Sequence, residues 1–175
     1  MIEVAQQLRK ESLPSLTIVG LEIVAPPQDL GKAVPEAWET LIRREMEIQY
    51  PAETGIYYGA FREKDHLAGE DALHHYVVGL AVLHLASVPE GMVSVQIPAA
   101  EYITGAAQGG PESIATTYQV LHQWFRKEQL PRLPEAYGLE RFDFLRQSVL
   151  PPYTHFDFDI SLPFHILPQP HQEES

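Results

Sequence analysis

The stretch Leu16-Thr17-Ile18-Val19-Gly20 is matched further along the chain by Glu101-Tyr102-Ile103-Thr104-Gly105. Four pairs of similar residues are separated by 85 or 86 positions: Ile18 and Ile103, Gly20 and Gly105, Trp38 and Trp124, and Tyr57 and Phe142. A period of this length is too long for a solenoid unit and indicates two copies of a small α+β half. Two such halves would fuse their sheets and leave a shared cleft, a common place for a small-molecule site.

Local patterns predict the same order of elements in each half, namely strand, helix, strand, strand. In the first half the predicted elements are strands at 14–24, 55–61 and 74–87 and a helix at 31–50. The helix is indicated by apolar residues at every third or fourth position, and the strands by β-branched and aromatic residues. The charged stretch 62–71 is predicted to be a loop, and residues 1–13 a loosely ordered lead-in.

The second half is predicted to repeat this order between residues 92 and 164. Its predicted elements are a strand at 92–107, a helix that begins near Pro111, and strands at 139–146 and 153–164. Pro98 indicates a bulge or bend in the first of these strands. Pro131 and Pro134 are expected to end the helix.

The chain is expected to form one domain, because each half alone would expose one face of its helix and sheet. A length of 175 residues, 45% of them hydrophobic, is enough to bury one core. The predicted boundaries are 1–168 for the domain, about 13–90 and 91–165 for its halves, and 169–175 for a flexible tail. Polar chain ends of this kind are commonly frayed.

Composition and charge exclude several classes of function. The chain contains no cysteine, so disulfides, thiolate metal sites and cysteine nucleophiles are excluded. No apolar run approaches the roughly 18 residues that a membrane span needs, and the first residues lack a signal-peptide core. We therefore expect a cytoplasmic location and no membrane binding.

The formal net charge of −12 comes from 24 acidic and 12 basic residues. An acidic surface repels phosphate backbones, and the sequence has no cluster of Lys and Arg, so direct nucleic-acid binding is not expected. The same charge would attract cationic organic molecules or a basic protein surface. It would equally serve to keep the protein soluble.

Several segments, in this order along the chain, carry a resemblance to a known family. They are the aromatic-x-x-Gly strand Tyr76-Val77-Val78-Gly79-Leu80-Ala81-Val82, the turn Pro89-Glu90-Gly91-Met92, the acidic-x-aromatic segment Leu139-Glu140-Arg141-Phe142-Asp143, and the closing pair Leu162-Pro163. Together they resemble the GyrI-like small-molecule-binding domain, which is the effector-binding half of AraC-type and MerR-type multidrug regulators. The resemblance covers residues from about 13 to 164. It implies a sensor half standing alone, since no helix-turn-helix segment is recognised.

The resemblance and the repeat imply an α+β fold. In it, two pseudo-symmetric β-α-β-β halves form one antiparallel-rich sheet with two main helices and a ligand cleft. Phe142 stands where Tyr is more usual in the family, so the expected site lacks one hydroxyl.

The expected ligand-binding residues are Trp38, Tyr57, Tyr76, Glu140 and Phe142. Glu140 and Phe142 are two positions apart on a predicted strand, so their side chains share one face. Tyr57 would approach from the partner strand related by the repeat, Trp38 from the first helix and Tyr76 from the long strand. A carboxylate among aromatic rings suits a lipophilic cation, because ring faces attract positive charge and an unpaired buried carboxylate is costly.

The same residues also have structural interpretations. Trp38, Trp124 and Tyr118 have helical spacing typical of core residues, and Glu140 could be a solvent-facing strand residue. No metal or other cofactor is expected, because the adjacent His74 and His75 should point to opposite faces of a strand. The sequence contains neither a Gly-x-Ser-x-Gly elbow nor a Walker-type phosphate loop.

The leading hypothesis is a stand-alone binding module for small lipophilic cations, acting as a sensor or a sequestering protein. The resemblance leaves two alternatives open. One is a hydrolase of reactive electrophilic toxins, with Glu140 as general base; no other catalytic residue is assigned. The other is a protein-interaction modulator, such as a gyrase inhibitor, with an unidentified protein partner.

Overall fold

The computed structural model describes residues 7–69, 71–153 and 155–168. These residues form β1 (Arg9–Leu13), β2 (Leu16–Ala25), α1 (Pro27–Arg44), β3 (Ile56–Arg62), α2 (Glu63–Leu67), β4 (His74–Val82), β5 (Val93–Ile97), β6 (Ala100–Gly109), α3 (Glu112–Glu128), β7 (Tyr137–Asp143) and β8 (Phe156–Ile166). A single 3₁₀ turn, Glu45–Glu47, follows α1. The predicted α+β class is confirmed. The predicted tail at 169–175 lies outside the described residues.

The described strands form one antiparallel sheet in the order β1-β6-β8-β7-β3-β4-β2-β5. This order is symmetric about the junction of β3 and β7, where the two halves meet. At that junction Tyr57 is the direct cross-strand partner of Phe142, its counterpart in the sequence repeat. The repeat therefore reflects a pseudo-twofold axis between these strands, and the predicted pairing of two β-α-β-β halves is confirmed.

The leading strands are exchanged between the halves. β1 pairs with β6, and β5 pairs with β2, in one continuous register: Leu13 opposes Ala100 and Leu16 opposes Ile97. We call this kinked pairing of β1–β2 with β5–β6 the closing ladder. Because two-residue links join strands that lie at opposite ends of the sheet order, the sheet must curl until its two edges come near each other.

Two strand predictions are corrected by the closing ladder. The prediction of a loosely ordered lead-in at residues 1–13 is wrong for Arg9–Leu13, which forms a strand. Pairing with β6 and an Arg9–Asp159 ion pair of 2.9 Å stabilise this strand. Its polar sequence suits an edge strand but carries no alternating apolar signal. The single strand at 92–107 is in fact β5 and β6, because the chain breaks at Pro98 and the two parts pair with different strands.

The first helix begins earlier and ends earlier than predicted. Pro27 occupies its first turn, where a missing N–H costs nothing, and the last predicted turns are replaced by the 3₁₀ turn and an extended segment. Pro35 lies inside α1 and has no N–H to donate to the carbonyl of Gly31, so the helix lacks one backbone hydrogen bond beside the cleft.

The charged stretch 62–71 is not a loop throughout, because Glu63–Leu67 forms α2. Its charges resemble those of a solvated segment, yet Glu63 and Asp65 are buried. The strand predicted to reach residue 87 ends at Val82, and the apolar Leu83 and Leu85 beyond it are exposed. Helix α3 confirms the second predicted helix.

Both faces of the sheet carry a core. Helices α1 and α3 cover one face, where Val78, Ile160 and Leu162 of the sheet and Leu121 of α3 are buried. A second core occupies the opposite face: Ile18, Tyr58, Ala60, Val77, Ala81, Ile97, Ala100, Tyr102 and Leu139. Successive strand residues alternate between these faces, so Glu140 lies on the helical side while Leu139 and Arg141 do not. In the described chain, no helix is long and apolar enough to cross a membrane.

Candidate ligand-binding cleft

A cleft lies between the helices and the sheet, close to the pseudo-twofold axis. It consists of two adjoining cavities of about 240 Å³ and about 340 Å³. Residues that line both cavities are Leu30, Gly31, Val34, Tyr76, Ile114 and Glu140. Because Tyr76 and Glu140 belong to both linings, the two cavities form one site with the carboxylate at their junction.

The two cavities differ in the residues that they do not share. The first, here called the aromatic lobe, is further lined by Pro35, Trp38, Phe142, Gln147, Val149, Tyr153, Phe156 and Phe158. The second, here called the histidine lobe, is further lined by Phe61, His66, His74, His75 and Tyr118. An aromatic surface and a nitrogen-rich surface therefore flank the same carboxylate.

Glu140 is buried at this junction, with 9% of its surface exposed. The Tyr76 hydroxyl donates to its Oε1 atom at 2.5 Å, and the Tyr118 hydroxyl is a second hydrogen-bond partner. Burial raises the pKa of Glu140, and the hydrogen bonds from the two tyrosines oppose that increase. None of the ion pairs between described residues involves Glu140. The carboxylate thus has donors for its oxygens but no positive charge beside it.

The short Tyr76–Glu140 contact depends on Gly59. Gly59 is the cross-strand partner of Glu140 on one side and of Val78 on the other, so the Tyr76 ring crosses over it. A Cβ atom at position 59 would overlap with the Tyr76 hydroxyl and ring. Glycine is required here for close approach, since only the missing side chain lets the hydroxyl reach the carboxylate.

We expect Gly59→Ala to lower the free energy of unfolding by about 1–3 kcal/mol, as overpacking of a core commonly does. Urea denaturation measures this loss. In a Tyr76→Leu background the same substitution should cost much less, because leucine lacks the atoms that the new methyl group meets. An equal loss in both backgrounds would show that the clash with Tyr76 is not the cause.

The wall of the aromatic lobe is a chain of ring contacts. Trp38 meets Phe142 edge to face, with ring centroids 5.3 Å apart. Phe142 in turn stacks on Phe158 at 4.6 Å. Such arrangements stabilise the packed rings beyond their buried area and fix their orientation. The structure therefore places Trp38, Tyr76, Glu140 and Phe142 around one cavity, and their contact with a ligand stays a prediction.

Tyr57 is not among the described residues that line either lobe. Its ring lies edge-on to Trp38 at 6.1 Å, and its hydroxyl donates to Glu45 at 2.8 Å. Burial, with the neighbouring Glu45, raises the pKa of Tyr57 to about 12. Tyr57 therefore packs behind Trp38 and helps to fix the orientation of its ring. A direct contact between Tyr57 and a ligand stays a prediction.

The sequence interpretation missed several residues of the lining. The helical spacing of Tyr118 favours a core position, but its buried hydroxyl needs a polar partner, and that requirement directs it towards Glu140. Gln147, Val149 and Tyr153 come from the segment after β7, where no periodic pattern exists to place them. Trp124 packs away from the cleft, against Phe125 and Phe164.

Comparisons with known proteins agree with this geometry. The model of the family described as GyrI-like small molecule binding domain matches residues 6–165. The transcriptional regulator BrlR of Pseudomonas aeruginosa is 28% identical over 149 residues, which are 85% of this chain and 53% of the regulator. The chain thus spans about half the length of this curated relative.

Solved structures share the fold. The structure of SAV2435 bound to tetraphenylphosphonium is similar with a TM-score of 0.65 and 15% identity, over 90% of this chain and 93% of that one. The EcmrR C-terminal domain has a TM-score of 0.67 and 17% identity, over 94% of this chain and all of that domain. At these identities the likeness concerns architecture alone.

Proposed function

The chain belongs to the GyrI-like small-molecule binding domain family, and from this premise we propose that its cleft binds a lipophilic organic cation. The observation that carries the proposal is Glu140, a buried carboxylate at the junction of two lobes with no basic side chain paired to it in the described chain. Taking a lone carboxylate out of water costs several kcal/mol, and a bound positive charge would recover part of that cost.

The aromatic lobe supplies the second half of the recognition. Trp38 and Phe142 present ring surface beside the carboxylate, and each ring face attracts a nearby cation by about 0.5–2 kcal/mol. Burial of the ligand's apolar surface adds about 25 cal/mol for each Å² removed from water. Recognition by charge and apolar area does not require one molecular shape, so the cleft would bind lipophilic cations as a class. Such breadth suits a sensor or a sequestering protein.

The ligand bound to SAV2435 offers a direct probe of this proposal. We expect tetraphenylphosphonium to bind the protein saturably, with one molecule per chain, in isothermal titration calorimetry. Triphenylphosphine oxide, which keeps three of the rings but is neutral, should bind at least about 10-fold more weakly because it gives Glu140 no charge.

Equal affinities for the two probes would contradict the electrostatic part of the proposal. Absence of saturable binding by either would contradict the proposal as a whole. Consumption of an electrophilic analogue, with loss of that activity in Glu140→Gln, would instead favour the hydrolase alternative.

A further inference from the structure

The histidine lobe has a chemistry that a purely apolar cation does not use. It opens from the same carboxylate as the aromatic lobe, and His66, His74 and His75 contribute to its lining. Two of these histidines already have protein partners. His74 Nε2 contacts the carbonyl oxygen of Gly69 at 3.3 Å, and His75 Nδ1 contacts Asp65 at 3.0 Å.

His66 differs from its neighbours. Its ring packs against Phe61 at 4.9 Å and Tyr118 at 5.3 Å between centroids. Within the described chain neither of its ring nitrogens has a hydrogen-bond partner. His66 is partly buried and lines the cavity, so a ligand group that can hydrogen-bond to its ring would supply the missing partner.

The charges around His66 define what that group can be. Burial, followed by the nearby His122, His74 and Arg132, lowers the pKa of His66 to about 4. The ring is therefore neutral at pH 7 and offers one donor and one acceptor. The Arg132 guanidinium, which donates to His122 Nδ1 at 2.6 Å, disfavours a second positive charge in this lobe.

Glu140 sets the opposite limit, because its carboxylate disfavours an anionic group in the adjoining space. A neutral group that can donate or accept a hydrogen bond satisfies both conditions. The lobe has about 340 Å³ of space, enough for a substituted ring.

We infer that the ligand of this cleft is an organic cation with a neutral hydrogen-bonding group, such as a hydroxyl, which binds to His66 in the histidine lobe. The inference rests on the proposed function. In this arrangement the aromatic part of the ligand lies against Trp38 and Phe142, and its positive charge lies beside Glu140. His66 thereby distinguishes among cations that the aromatic lobe alone would accept equally.

A matched pair of probes tests this inference: tetraphenylphosphonium and (hydroxyphenyl)triphenylphosphonium, which differ by one phenolic hydroxyl. We expect the wild-type protein to bind the hydroxyl-bearing cation about five-fold more tightly, the worth of one hydrogen bond. In His66→Phe the two affinities should become equal. In His84→Phe, which alters an exposed histidine whose ring is tilted against that of Tyr50, the five-fold preference should persist.

Two further measurements keep the inference open to contradiction. His66→Gln, which retains hydrogen-bonding capacity, should keep part of the preference even if His66→Phe folds poorly. An unchanged preference in a folded His66→Phe protein that still binds both cations would overturn the inference alone. Tighter binding of the carboxyphenyl analogue than of the hydroxyphenyl one would overturn the requirement for a neutral group. Failure of both cations to bind the wild-type protein would overturn the proposed function together with it.

Discussion

Glu140→Gln is expected to weaken tetraphenylphosphonium binding by about 100-fold, because it removes one member of a buried charge pair. The substitution keeps the size of the side chain, and the glutamine carbonyl can still accept from the Tyr76 hydroxyl. What it removes is the negative charge. Calorimetric titration of the variant measures the loss, and triphenylphosphine oxide should bind the variant and the wild-type protein with similar affinity.

The matched control is Asp159→Asn, which neutralises a second buried strand carboxylate on the face opposite the cleft. This variant should keep its affinity for the cation. The stability of Glu140→Gln also tells whether the Glu140 charge serves ligand binding or the stability of the fold. Because burial raises the pKa of Glu140, its ionisation costs folding free energy as the pH rises through that pKa, and Glu140→Gln should be no less stable than wild type at pH 7. A variant that unfolds more easily, or that binds normally, would contradict the role given to this charge.

Arg132→Leu is expected to lower the free energy of unfolding by about 3–5 kcal/mol at pH 7, the usual result of breaking a buried ion pair from one side. The side chain of Glu63 is fully buried, and its Oε2 atom accepts from Arg132 Nε at 3.1 Å and Nη2 at 2.5 Å. Its Oε1 atom is buried without a partner in the described chain. Leucine retains apolar contact with Phe125, over which the guanidinium lies, so the loss reports mainly on the charge.

The pH dependence of this loss gives a more specific test. Burial raises the pKa of Glu63 and Arg132 opposes that increase, so the pKa should rise further in Arg132→Leu. Stability that depends on protonated Glu63 is present at acid pH and is lost as the pH rises through its folded-state pKa. The difference between variant and wild type should therefore be large at pH 7 and shrink towards pH 5 in urea denaturation.

A second substitution and a surface control complete this experiment. Adding Glu63→Gln to Arg132→Leu should restore much of the lost stability, because no buried charge is then left unpaired. Arg126→Leu, at an exposed position of α3, should change stability little. A loss that is the same at pH 5 and pH 7 would contradict the assignment to Glu63.

The fold was predictable where the sequence carries a periodic or repeated signal. The matched pair Tyr57 and Phe142 indicated the pseudo-symmetry, and the two residues prove to be cross-strand partners at its axis. β1 and α2 were not predictable in the same way. Their charged residues resemble solvated segments, and they are ordered by ion pairs to Asp159 and Arg132, which are distant in the sequence.

The candidate site was likewise predictable only where its residues follow a strand or helix pattern. Glu140 and Phe142 share a face by simple strand alternation, and Trp38 follows from the helical pattern. Gly59 could not be recognised, because its importance appears only once Tyr76 lies across it. The residues from the segment between β7 and β8 are placed by tertiary packing, for which the sequence offers no period.

The closing ladder limits how a guest molecule can enter the cleft. The two halves cannot separate by a hinge motion at the β3–β7 junction, because the β1–β6 and β2–β5 pairs join each leading strand to the other half. The sheet that forms one side of the cleft is therefore rigid. Adaptation to ligands of different size must come from the helices and the segment between β7 and β8, which form its other sides. We expect α1, with its interrupted turn at Pro35, and the segment 144–153 to move on admission while the sheet beneath them keeps its register.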